Sequence, residues 1–232
     1  MTSINTIARF TGCLYLLLIP LGVLGILYIP SFLFVPGDAA TTADNVLANE
    51  TLFRLGILSA LAVQLVYIIL VLFFYKLLKS VSRSVAILMV VLVLVAVPIA
   101  MLNELNHFAV LELLGNEQLL TIFTTDQEQA MATLFFELHD YGIIIAQIFW
   151  GLWLAPLGYL IFRSGYIPKF LGVLMVIACC GYVLDTFFAI FFPEFGFAIS
   201  QFTFLGEVLL PLWLLIKGVN AEEWEKQNLV RA

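Results

Sequence analysis

Apolar side chains run along this chain in six long stretches, at about 8–34, 52–74, 85–111, 131–162, 170–192 and 198–216. Each is close to or above the ~20 residues that an α-helix needs to cross a hydrocarbon core. Between them lie a polar stretch at 36–50, a basic link at 76–84, an acidic link at 112–129, a second basic link at 163–169 and a short turn at Pro193 and Glu194. The pattern predicts an all-α integral membrane protein, a bundle of six transmembrane helices over residues 1–217 with a short polar tail at 218–232. The first stretch far exceeds the roughly 7–15 apolar residues of a signal peptide and is read as a retained span.

Lys and Arg gather in the loops left on the cytoplasmic side of a membrane. With an even number of crossings, Arg9, Lys76, Lys79, Arg83, Arg163, Lys169, Lys217, Lys226 and Arg231 fall on one face, and of the ten cations only Arg54 falls on the other. Both termini are therefore expected in the cytoplasm, with the acidic links, including Asp38, Asp44, Glu50, Glu117, Asp126 and Glu128, facing outward. In the link from Arg163 to Lys169, Gly165 stands where a helix can end in a left-handed residue and Pro168 where the next can start. A tight hairpin between the fourth and fifth spans follows.

Composition closes other possibilities. Of the 232 residues 63% are hydrophobic and 11% charged, against roughly 25% charged in a soluble domain, and the mean hydropathy is +1.09. A water-soluble globule is excluded. The net charge of −6 and the absence of a basic stripe speak against nucleic acid as a partner. Cys13, Cys179 and Cys180 lie within apolar stretches and have no spacing that suggests a disulfide or a zinc knuckle.

The informative residues are the polar ones inside the spans, because ionisable groups in hydrocarbon are expensive and mark pathways, sites or counter-ions. The third span holds Asn103, Glu104, Asn106 and His107; the fourth holds Glu137, His139, Asp140 and Gln147. Asp185 lies in the fifth, Gln201 and Glu207 in the sixth, and Arg54 near the outer end of the second. At about 100° per residue Asn103, Glu104 and His107 share a face, as do Glu137, Asp140, Tyr141 and Gln147, while His139 points away from Glu137. Five carboxyl groups, Glu104, Glu137, Asp140, Asp185 and Glu207, face one fixed cation, Arg54, and two imidazoles. This imbalance predicts an acidic cavity in the outer half of the bundle, formed by Arg54, Asn103, Glu104, His107, Glu137, His139, Asp140, Asp185 and Glu207, that takes a cation, a proton or a small polar or amphiphilic ligand.

Glu104-x-x-His107 also has the i, i+3 spacing by which helical bundles present metal ligands. A divalent metal is therefore a cofactor to consider, with Glu104, His107, Asp140 and Glu207 as ligands, although the motif occurs once and HExxH is absent. The enzymatic alternative is a water-activating membrane hydrolase built on those four residues, since no serine or cysteine nucleophile stands at a partner spacing. The remaining alternative is a structural or partner-binding membrane module, in which these groups are interhelical hydrogen bonds.

Several longer strings carry a resemblance: Gly37 to Asn45, Leu52-Phe53-Arg54-Leu55-Gly56, Phe149 to Leu160, Arg163 to Gly172, and Gly206-Glu207 followed by Leu212 to Gly218. They resemble a bacterial family of small multi-pass membrane proteins known as domain of unknown function 4386, and the similarity runs over nearly the whole chain. The resemblance implies a bacterial cytoplasmic (inner) membrane setting and transfers no activity. It adds weight to Arg54, His139 and Glu207, which stand within the matching strings.

Overall fold

The computed structural model describes residues 3–116 and 118–230; Glu117 and Arg231, assigned above to opposite faces, lie outside them. Helices joined by short turns make up most of the described residues, which contain no strand. Among the described residues, five helices are long and apolar enough to cross a membrane: α1 (Ile4–Leu33), α3 (Glu50–Leu78), α4 (Arg83–Gly115), α5 (Thr125–Ser164) and α6 (Lys169–Phe191). A shorter helix, α2 (Ala39–Ala48), joins the first two. A bent pair, α7 (Ser200–Ile216) and α8 (Ala221–Val230), turns through 95° and makes a sixth span if counted as one.

Several helices are interrupted, for identifiable reasons. Pro20 and Pro30 lie within α1, which opens into a π-helical turn at Val23–Tyr28, and prolines remove a backbone donor. In α5 the break at Trp153 precedes Pro156, which has no N–H to offer the Leu152 carbonyl. In α4 the break is at Glu104. There Asn106 Nδ2 donates to both the Asn103 carbonyl, at 3.1 Å, and Asn103 Oδ1, at 3.0 Å, so a side chain competes for a helical acceptor.

The chain divides into two compact units. One comprises Met1–Leu18, Val66–Val97 and Ile144–Ala232. Its predicted hairpin forms: Gly165 ends α5 with φ +74° and Pro168 precedes α6. The two helices approach so closely that a Cβ on Gly158 would lie 2.6 Å from the Gly172 carbonyl oxygen, and one on Gly172 2.6 Å from that of Gly158. Trp153, Phe74, Leu77, Leu157 and Leu160 are fully buried here. The tail is a helix rather than a loose segment, tied by Trp224 Nε1, which donates to the Leu77 carbonyl at 3.1 Å.

The other unit comprises Ile19–Leu65 and Pro98–Ile143. Its core gathers Ile29, Leu33, Ala43, Val46, Phe53, Val110, Leu114, Ala132 and Phe136. The stretch at 36–50, a link by its polarity, supplies α2 to this core. Asp38 caps it, accepting from the Thr41 amide at 2.9 Å and the Thr41 hydroxyl at 2.7 Å, and Thr42, Ala43 and Val46 form its buried face.

Candidate metal centre

The break in α4 presents Glu104 and His107 on one side, and α5 brings His139 to meet them. Glu104 is 3% exposed and each imidazole 2%. Glu104 Oε2 accepts from His107 Nδ1 at 3.0 Å, and Oε1 accepts from His139 Nε2 at 3.2 Å. The rings are stacked, with centroids 3.6 Å apart and planes 24° from parallel. Each of the three residues offers a donor atom within 4.8 Å of the others. Asn103, next to the break, positions α5: its Nδ2 donates to the His139 carbonyl at 2.8 Å, and its amide occupies the place a Cβ on Gly142 would take. Phe53 and Phe136 close the site from the apolar side, their centroids 5.0 and 5.6 Å from that of His107.

Protonation follows from this geometry when Glu104 is ionised. A carboxylate only accepts hydrogen bonds, so the proton of His107 sits on Nδ1 and that of His139 on Nε2. The lone pairs are then on the opposite nitrogens. His107 Nε2 is buried without a hydrogen-bond partner. His139 Nδ1 stands 4.0 Å from Asp140 Oδ1, too far for a hydrogen bond. Two neutral imidazoles, Glu104 and Asp140 together carry a formal charge of −2, and the described ion pairs bring no Lys or Arg to them.

The nine residues expected in one cavity are distributed otherwise. Asn103, Glu104, His107 and His139 come together, with the exposed side chain of Asp140 at their edge. Glu137 lies on the surface, on a different face of α5 from His139, as the helical angle predicts. Arg54 pairs with Glu50 at 2.7 Å on the surface. Asp185 accepts from the Ile199 amide at 2.5 Å and the Ser200 amide at 2.9 Å; it caps α7, a role that needs no ligand. Glu207 belongs to the other unit, where Tyr15 Oη donates to its Oε2 at 3.0 Å. Of the metal ligands expected from the α4 motif, the structure brings Glu104 and His107 together and places His139 beside them, with Asp140 at the edge and Glu207 in the other unit.

His139, expected among the cavity residues but not among the metal ligands, completes the donor set; pairing α5 with α4 at this register is a tertiary fact. Glu128, placed in a solvated link, is 2% exposed, and its Oε1 has no hydrogen-bond partner.

The family profile described as Domain of unknown function (DUF4386) matches residues 10–218, and the chain belongs to that family. A protein of Archaeoglobus fulgidus, described as an uncharacterized protein, is 37% identical over 110 residues, which is 45% of this chain and 67% of that one. No solved structure matches.

Proposed function

We propose that this membrane protein binds a divalent transition-metal ion at Glu104, His107 and His139, with Asp140 supporting His139. The observation that carries this is the convergence of three buried donor atoms from different parts of the chain. Two donors that each lie about 2.0–2.2 Å from a tetrahedral zinc stand roughly 3.3–3.5 Å apart, near the 3.0 and 3.2 Å separations of the Glu104 oxygens from the imidazole nitrogens. Two imidazoles with one carboxylate suit zinc, iron or manganese better than calcium or magnesium.

Charge admits a cationic guest: Glu104 is the buried carboxylate of the set and Asp140 lies exposed at its edge, so a proton offsets the buried charge alone and a doubly charged ion offsets both. His107 Nδ1 and His139 Nε2, the nitrogens that face Glu104, would hold the ion, with each imidazole proton then on the opposite nitrogen. On His139 that nitrogen faces Asp140, the carboxylate–histidine–metal arrangement that orients a ligand.

Three protein ligands leave a coordination position open, and zinc sites of that kind activate water. This favours the water-activating hydrolase as the second reading. Binding remains the lead because Phe53 and Phe136 cover His107. In this reading the six spans occupy residues 1–217 of a bacterial cytoplasmic membrane, both termini are inside, and the site opens toward the outer leaflet.

The test is metal content after purification in detergent, stripping with a chelator and reloading with zinc or manganese. One ion per chain is expected, lost in His107→Ala and in His139→Ala and retained in Glu137→Gln. A wild-type chain that holds no ion after reloading refutes the proposal.

A further inference from the structure

A separate cavity of about 240 Å³ lies in the unit that contains the α5–α6 hairpin, lined by Val81, Ser82, Tyr159, Arg163 and Gln227. Its lining holds a guanidinium and two hydroxyls and no carboxylate. Arg163 stands in the last turn of α5, and among the described residues its guanidinium enters no ion pair. Tyr159 precedes it by four residues and so shares its helix face. Ser82 occupies the position before the first turn of α4, its carbonyl accepting from the Ala86 amide at 3.0 Å. The leading N–H groups of a helix have no partner within it and carry the positive end of its dipole. The tail helix α8 forms the remaining wall, where Gln227 Nε2 donates to the Arg163 carbonyl at 3.4 Å.

The guanidinium and the two hydroxyls can donate to a tetrahedral oxyanion, and the unpartnered Gln227 Oε1 in the same lining can accept from a hydroxyl of its headgroup. Their location selects its source. Val81 and Ser82 connect the ends of two membrane-length helices, and Tyr159 and Arg163 end a third. That is the depth at which lipid phosphates sit, where basic pockets between spans bind anionic headgroups and aromatic side chains are enriched. We infer that the cavity between Ser82, Tyr159 and Arg163 is a binding site for the phosphodiester headgroup of an anionic phospholipid. The α8 helix, turned 95° from α7, serves as the wall that holds the headgroup against Arg163. This site is independent of the metal proposal.

Delipidated full-length protein in a neutral detergent is titrated with phosphatidylglycerol, with phosphatidylcholine and with inorganic phosphate. Bound lipid is counted by native mass spectrometry and thermal stabilisation is measured in parallel. Phosphatidylglycerol is expected to bind in preference to phosphatidylcholine, and Arg163→Gln to weaken it by about five-fold, the effect of one lost cation near a lipid surface. Ser82→Ala and Tyr159→Phe, which leave the charge unchanged, should each weaken it less. Lys217→Gln removes an exposed cation that does not line the cavity and should leave binding as it is. The proposal is overturned if Arg163→Gln, Ser82→Ala and Tyr159→Phe all bind like the wild type, or if Lys217→Gln weakens binding as much as Arg163→Gln. Stabilisation by inorganic phosphate without any by phosphatidylglycerol would overturn the lipid as the occupant.

Discussion

Replacing Glu104 by Gln and by Ala separates the two properties that the carboxylate combines, its charge and its capacity to accept. In the metal-free chain Glu104 accepts from two buried imidazoles, at 3.0 and 3.2 Å. Hydrogen bonds to a charged group contribute about 1.5–3 kcal/mol each and neutral ones about 0.5–1.5 kcal/mol. Glu104→Gln keeps the shape, retains one acceptor and offers an amide N–H₂ to the other ring, which can shift its proton to present a lone pair. The expected loss is about 2–3 kcal/mol. Glu104→Ala leaves two buried ring N–H groups unpaired, at about 1–3 kcal/mol each, and adds a void, so its loss should reach on the order of 4–6 kcal/mol. The assay is reversible unfolding in mixed micelles, with the protein stripped of metal. If both variants unfold with the wild-type midpoint, the carboxylate does not join the two histidines and the site as described is wrong. Zinc affinity supplies a second axis. Structural zinc sites reach about 10–16 kcal/mol with four ligands, or roughly 3 kcal/mol per ligand, so losing the carboxylate should weaken binding by about two orders of magnitude. An alanine variant that is unstable but binds zinc as tightly as wild type would show Glu104 to be a support and not a ligand.

Other expectations test separate parts of the structure. Tyr15→Phe leaves Glu207 Oε2 without its buried donor and should destabilise the chain by about 1–3 kcal/mol; starting from Glu207→Leu the same change should have little further effect, and additive losses in that double-mutant cycle would contradict the contact. Gly158→Ala drives a methyl against the Gly172 carbonyl and should reduce stability by about 1–3 kcal/mol, whereas Gly22→Ala, with open space around it, should not; equal unfolding midpoints would refute the close approach. The Thr41 amide, followed by the Thr41 hydroxyl, holds the Asp38 carboxyl below its usual range. Its support of α2 is therefore complete above the ordinary aspartate pKa of about 3.9 and fades as pH falls through the lowered value. The protection of the Thr41 and Thr42 amides against exchange, taken relative to their intrinsic rates, should fall over that window, and unchanged protection in Asp38→Ala at neutral pH would remove the cap from the account.

Membrane-length helices, the α5–α6 hairpin and the presence of buried polar chemistry in α4 were all legible in the order of residues. Span length follows from apolar run length, the hairpin from Gly165 and Pro168, and the Glu104–His107 pair from helical spacing. Spacing was less informative wherever a residue had an outside partner. Asp185 looked like an uncompensated acid until the Ile199 and Ser200 amides appeared beside it. Glu137 and Asp140 looked like cavity residues because they share a face, yet periodicity does not say which face turns inward in a span apolar nearly all round. The stretch at 36–50 read as a loop because its few apolar residues form a stripe only once Asp38 has started a helix.

The order of residues is enough to specify the solvent this chain folds in and the class of elements it uses, because a lipid core demands that each span satisfy its own backbone with local hydrogen bonds. Which acids meet which partners depends on how the helices pack in three dimensions. His139 reaches Glu104 through the register of one helix against another, and Glu207 finds Tyr15 across 192 positions of chain. Such meetings depend on side-chain packing between helices, and apolar run length carries no information about it.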